Sequence, residues 1–231
     1  MLSSREKSKQ SVHFFRNMKG ARASDRRVNH MKYITIALFL IWALVRGSSA
    51  QDAIESDRSR LVADMIVKAA EHRTTENVRY DPAYVVLDYP GGDVPADTGV
   101  CTDVVIRTYR AALGVDLQKL VHEDMKRNFS VYPKNWGLRR ADKNIDHRRV
   151  PNLQKFFERK GAELPLSDES VFLPGDLVAW DLNGNGLWHI GVVVAEDTFV
   201  HNIGAGPMKD TGIRTWKLVG HYRYHPAISK E

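Results

Sequence analysis

Pro174-Gly175-Asp176-Leu177-Val178-Ala179-Trp180, then Trp188-His189-Ile190-Gly191-Val192-Val193-Val194, then Phe199-Val200-His201-Asn202: these three runs decide the fold. Each is short, rich in β-branched and aromatic residues, and bounded by turn formers, which is the pattern of a strand. Asp181-Leu182-Asn183-Gly184-Asn185-Gly186 joins the first two as a tight turn, for which Asn-Gly pairs are suited. The same segment opens like a calcium loop, but its twelfth position is Val192 where such a loop needs a bidentate Glu, so no metal is expected there. Val219 to Tyr224 reads as a fourth strand. Upstream the hydrophobic period changes. Leu61, Met65, Ile66 and Ala69 recur at helical spacing between Ser56 and about His72. Further helices are predicted from near Val100 to a stop at Gly114, from about Asp116 to Arg127, and from Leu153 to Lys160 before Gly161. Residues 128–151 read as an irregular insertion. Helices first and an antiparallel sheet afterwards predict a single α+β domain over residues 51–231, with the helices packed on the sheet.

The first fifty residues are of another kind. Met31-Lys32 precedes an apolar run from Tyr33 to Val45, and Arg46-Gly47-Ser48-Ser49-Ala50 follows with small residues at its exit. A basic start, a short apolar stretch and a small-residue end describe a secretory signal peptide. The run is short of the roughly 20 residues of a comfortable membrane span, so no stable membrane insertion is expected after cleavage. The basic lead-in of residues 1–30 is long for such a peptide and points to Met31 or Met18 as an alternative start. This segment also carries the net charge. Residues 1–50 hold ten of the 34 Lys and Arg and two of the 28 Asp and Glu, which leaves 24 and 26, or about −2 where the whole chain has +6. The pI of 9.4 is therefore no argument for nucleic-acid binding.

One Cys occurs in the whole chain, so an exported form has no internal disulfide and keeps a free thiol in an oxidising compartment. Cys101 sits in Asp97-Thr98-Gly99-Val100-Cys101-Thr102-Asp103, in the first turn of a predicted helix. Unpaired N–H groups at a helix start favour a thiolate and can hold an oxyanion. His189 opens a rigid strand, as suits a base that takes a proton from a thiol. His201 lies twelve positions on, across a short turn, where it can orient the His189 ring. Gly191 leaves room beside the strand.

A Cys at a helix start, a strand led by Pro-Gly-Asp, and "HIGVVVAEDTFVHN" together resemble the NlpC and CHAP superfamily of papain-like cell-wall peptidases and amidases. The resemblance covers about residues 95 to 205. It implies a papain-like fold, Cys101 as nucleophile, His189 as base, His201 as its orienter, and no cofactor. As a set, "GVCTDV", "NIDHRRVPNL", "PGDLVAWDL" and "HIGVVV" are similar to the YijF-like group, a bacterial domain of unknown function. That likeness implies a Gram-negative periplasmic setting and a peptidoglycan peptide or related peptide as substrate. The chain departs from the better-known peptidases at the nucleophile, where they carry Asp-Cys-Ser or a similar triplet and this chain has Val100-Cys101-Thr102-Asp103.

Asp103, His147, Arg148, Arg149 and Trp188 are the candidate substrate-binding residues, since Arg recognises carboxylates through two parallel hydrogen bonds. A carboxylate as near the thiol as Asp103 opposes ionisation of the sulfur unless it is turned away or paired. Tyr80 and Tyr84 are expected to pack as core aromatics. Two other function classes stay in view: a periplasmic binding module on the same cleft, and a metal hydrolase built on His189, His201 and Asp181. No His-x-x-x-His spacing supports the metal site. The chain is expected to act as a monomer.

Overall fold

The computed structural model describes residues 51–226, so the expectations for the leader, residues 1–50, lie outside the described residues. Contacts divide the chain into Met1–Asp57 and Arg58–Glu231, and the second unit carries everything below. Residues 58–73 are helical (α1). Two short strands, Arg79–Tyr80 (β1) and Thr98–Gly99 (β2), pair in parallel just ahead of the helix Cys101–Leu113 (α2). That helix stops at Gly114, whose φ of 66° is the left-handed conformation glycine adopts freely. Leu117–Arg127 (α3) starts where the Asp116 carboxylate accepts from Lys119 N at 3.1 Å, and Val150–Arg159 (α4) starts on Pro151, which has no N–H to waste in a first turn. Between α3 and α4 come two single 3-10 turns, Phe129–Val131 and Asp146–Arg148.

The C-terminal part is a five-stranded antiparallel sheet of Leu177–Asp181 (β3), Trp188–Ala195 (β4), Thr198–Asn202 (β5), Pro207–Thr211 (β6) and Lys217–Tyr222 (β7), in the order β6-β5-β4-β3-β7. The architecture is α+β, with helices packed on the sheet. Alternation splits the strands between two cores. Leu177, Ala179, Ile190, Val192 and Val200 pack with Val104, Val105, Leu153 and Phe156 of the helices. Val178, Trp180, Val193 and Phe199 turn to the other side and meet Ile213, with Phe172 and Trp216 over them. Asp176, the last residue of the Pro-Gly-Asp lead, is fully buried; it accepts from Leu173 N and from the side chains of His221 and Arg223 at 2.7–2.9 Å. The start of β3 is thereby tied to the end of β7.

One sequence expectation is corrected here. The sheet has five long strands where four are legible, because β6 is a half-exposed edge of mixed polarity. Its Pro207 stands at the first position of an edge strand, where a missing N–H is tolerated. Residues 182–187 form the expected hairpin turn between β3 and β4: Asp181 accepts from Gly186 N and Leu187 N, and Asn183 from Asn185 N.

Candidate active site

Cys101 is the first residue of α2 and is 5 % exposed. The backbone amides of Ile190 on β4, of Thr102 and of Cys101 itself lie near enough to the sulfur to favour its ionised form. Ile190 N is two bonds from the Cα of His189, so the amide that acts on the thiol belongs to the peptide next to the imidazole. Asn202, at the end of β5, adds a second tie: its Nδ2 donates to Gly99 O at 3.3 Å, fastening the approach to the nucleophile onto the sheet. Nothing in the sequence singled out Asn202, which follows His201 directly.

His189 Nε2 and His201 Nδ1 are 2.8 Å apart. The strands explain the pairing, since β4 and β5 are antiparallel neighbours with Val192 opposite Val200. Gly191 permits it: a Cβ there would come within 3.0 Å of Val200 O and 3.3 Å of the His201 Cβ. Aromatic rings enclose both imidazoles. Trp180 and Trp216 lie 5.7 and 6.1 Å from His189, and Phe199 and Trp216 lie 4.8 and 5.9 Å from His201. His201 Nε2 is buried with no hydrogen-bond partner, and the Asp210 carboxylate on β6 stands 3.7 Å away. Asp210 is a member of the site that the sequence did not reveal.

The electrostatics are those of a dry site. Burial pushes the Cys101 thiol up to about 12, against the opposing pull of the Ile190 and Thr102 amides and with help from Asp103. Burial, and then His201, hold His189 down at about 3. His201 is lowered by burial too, partly offset by Asp210. The helix amides do point at the sulfur, yet desolvation outweighs them, so the free site rests as neutral thiol and neutral imidazole. The thiolate expected from the helix start is not the resting form.

Asp103 and Arg148 use their charges on each other. The Arg148 Nε and Nη2 donate to the carboxylate at 3.0 Å, Nη1 donates to Ala83 O, and Asp103 also accepts from Val100 N at 2.7 Å. The second half of that arrangement, a carboxylate at the third helical position reaching back to the N-cap amide, secures the helix start. The pairing does not remove the conflict with the thiol, since Asp103 still raises Cys101. His147 is 2 % exposed and stands apart from the cleft lining. Arg149 and Trp188 do line it, with Cys101, Tyr80, Tyr84 and Trp136, in a cleft of about 360 Å³. Arg149 lies 4.2 Å over the Trp136 ring, and its Nη1 is buried with no partner. Tyr80 and Tyr84 are 37 % and 55 % exposed, so the expectation of core packing is corrected: both are cleft walls. Their exposure follows from the two-residue β1 and the extended segment after it, which lie outside the main sheet.

A family model described as "Domain of unknown function (DUF1287)" matches residues 67–224. "Uncharacterized protein YijF" of Escherichia coli (strain K12) is 50% identical over 204 residues, covering 84% of this chain and 98% of its own length. Among solved structures, "Structure of NlpC1 from Trichomonas vaginalis" aligns with a TM-score of 0.39 at 16% identity, over 69% of this chain and 44% of that one. The chain thus spans under half the length of that protein.

Proposed function

We propose, for a chain that belongs to the DUF1287 family, that it is an exported hydrolase of amide bonds with Cys101 as nucleophile. The observation that carries this reading is the His189–His201 pair at 2.8 Å, one residue along β4 from Ile190, whose amide acts on the Cys101 sulfur at the start of α2. His189 Nδ1 is then the ring nitrogen left for the thiol. In the first step the sulfur attacks the substrate carbonyl carbon as its proton passes to His189 Nδ1. Because both groups start neutral, transfer and attack go together. The Cys101 amide, at the helix start, is a donor to the developing oxyanion, and Tyr80 lines the same cleft. The C–N bond then breaks as His189 returns the proton to the leaving amine. Water, deprotonated by His189, opens the thioester, releasing the acid and restoring the thiol. No metal or cofactor takes part.

The Asp210 carboxylate favours the proton of His201 on Nε2, so Nδ1 accepts from His189 Nε2–H and the base nitrogen keeps its lone pair. Arg149 and the aromatic walls suit a peptide with a carboxylate near the scissile bond. With the apolar leader of residues 33–45, peptidoglycan peptides in the periplasm are the substrate proposed.

One observation favours a second reading, a binding module that keeps the cleft without turnover: the buried thiol, pushed up to about 12, is a poor nucleophile in the free protein. Digestion of purified cell-wall fragments by the native chain and by Cys101→Ala, read by mass spectrometry under reducing conditions, separates the two. New fragments with the native chain alone support the hydrolase and name its bond. Intact fragments with both would put the binding module first.

A further inference from the structure

The cleft beside Cys101 does not end at Tyr84. On the other side of that ring lies a second, larger cleft of about 870 Å³, lined by Tyr84, His122, Arg139, Arg140, Lys143 and Asn144. The insertion between α3 and α4 supplies most of it. Its floor is fixed: the buried Asp146 carboxylate takes His122 Nδ1 at 3.0 Å and Asp142 N at 2.7 Å, and Asn152 on α4 donates to the Asp146 carbonyl. Its rim is cationic. Arg139 and Arg140 are exposed and take no ion pair among the described residues, and Lys143 stands 5.8 Å from the Tyr89 ring. Asp142 is the one carboxylate lining this cleft among the described residues, and its oxygens already accept from Tyr84 OH and Asn144 N at 3.1 and 2.9 Å. Arg149, across Tyr84, adds a fourth cation with a buried, unpartnered Nη1.

Four cations outnumber two carboxylates, Asp142 in the lining and the buried Asp146 beneath it, both already bonded, and along two clefts that share a wall they make a track for negative charge. We infer that the ligand is at least doubly anionic: one acid group meets Arg149 beside Cys101, and a second lies past Tyr84 against Arg139, Arg140 and Lys143. This rests on reading the Cys101 cleft as the substrate site, and it narrows the substrate to acidic peptides or phosphate-bearing ones. Carboxylates and phosphates share the geometry that guanidinium recognises.

Binding, measured without turnover, tests this independently of catalysis. Fluorescein-labelled triglutamate and its uncharged triglutamine-amide counterpart are titrated into Cys101→Ala by fluorescence anisotropy, at about 0.1 M salt where longer-range attraction is largely screened. Triglutamate is expected to bind at least about tenfold tighter, each tenfold being about 1.4 kcal/mol. Arg139→Gln/Arg140→Gln should lose most of that margin, and Arg149→Gln a further part. Lys217→Gln, an exposed cation on β7 that lines neither cleft, should keep it. Displacement by pyrophosphate at lower concentration than by glutarate assigns the second group to phosphate, and the reverse order assigns it to carboxylate. Both support the anion track. Equal affinity for the two peptides, an unweakened double variant, or an equal loss in Lys217→Gln overturns it. A chain that binds triglutamate as stated yet cuts no cell-wall fragment would keep the anion track and lose the hydrolase.

Discussion

His189 Nε2 and His201 Nδ1 lie 2.8 Å apart, so one proton, and only one, sits between the two rings. Which ring owns it decides whether His189 Nδ1 is a base. The Asp210 carboxylate, 3.7 Å from His201 Nε2, draws a proton to that nitrogen and so assigns the shared one to His189. In Asp210→Asn the amide can donate to His201 Nε2 instead, and both tautomers reverse. The prediction is a fall in kcat of about tenfold with KM unchanged, short of the roughly 10²–10⁴ that a general base supplies. Asp210 is 42 % exposed at its side chain, so the fold should survive the change. Histidine nitrogen chemical shifts, read beside the kinetics, check it: unchanged shifts and unchanged kcat would remove Asp210 from the site.

The thiol offers a sharper test of the resting state. With Cys101 pushed up to about 12 by burial and His189 held down near 3, no thiolate–imidazolium pair is stable in the free protein. Alkylation by iodoacetamide should therefore rise about tenfold for each pH unit from 7 to 10, without a plateau, because the thiolate is the reacting form. A plateau below pH 8 would mean that the ion pair forms after all.

The strands β3, β4 and β5 were legible because their cores are continuous apolar runs, and Cys101 because Gly99 and Val100 lead directly into a helix. What escaped detection, Asp210 and the pairing of Asp103 with Arg148, shares a physical reason. Asp210 reaches His201 across a strand pair in which Met208 is the direct partner of His201, and β6 itself has no apolar alternation. Asp103 and Arg148, read from the sequence as candidate substrate contacts, are 45 positions apart, so their bond to each other is invisible along the chain, yet both are nearly fully buried and paired. A sequence displays period and composition along the chain, whereas pairing across it depends on register and burial.

Arg148→Ala leaves Asp103 buried without its cation and strips two bonds from the Ala83 and Asp81 carbonyls. Breaking one side of a buried pair costs about 3–5 kcal/mol, and in a domain of this size that lowers Tm by roughly 10 °C. Thermal unfolding followed by circular dichroism measures it. A variant with unchanged Tm but a raised KM would instead make Arg148 a substrate ligand.

Acid should unfold this protein through its buried histidines. His147 and His189 are each held at about 3, chiefly by burial, against an ordinary value near 6.5. Below pH 6.5 the unfolded chain takes up protons that the folded one refuses until about pH 3, so stability is complete above 6.5 and drains away as pH falls through that window. Each such group contributes about 1.4 kcal/mol per pH unit crossed. His147 lies outside the cleft, which makes it the group to remove. Urea unfolding of His147→Leu between pH 6 and pH 4 should lose about 1.4 kcal/mol less per pH unit than the native chain does. A slope equal to the native one would mean that folded His147 accepts its proton, and its burial among Arg148, Arg110 and His122 would then have to relax at a pH where the fold is still intact.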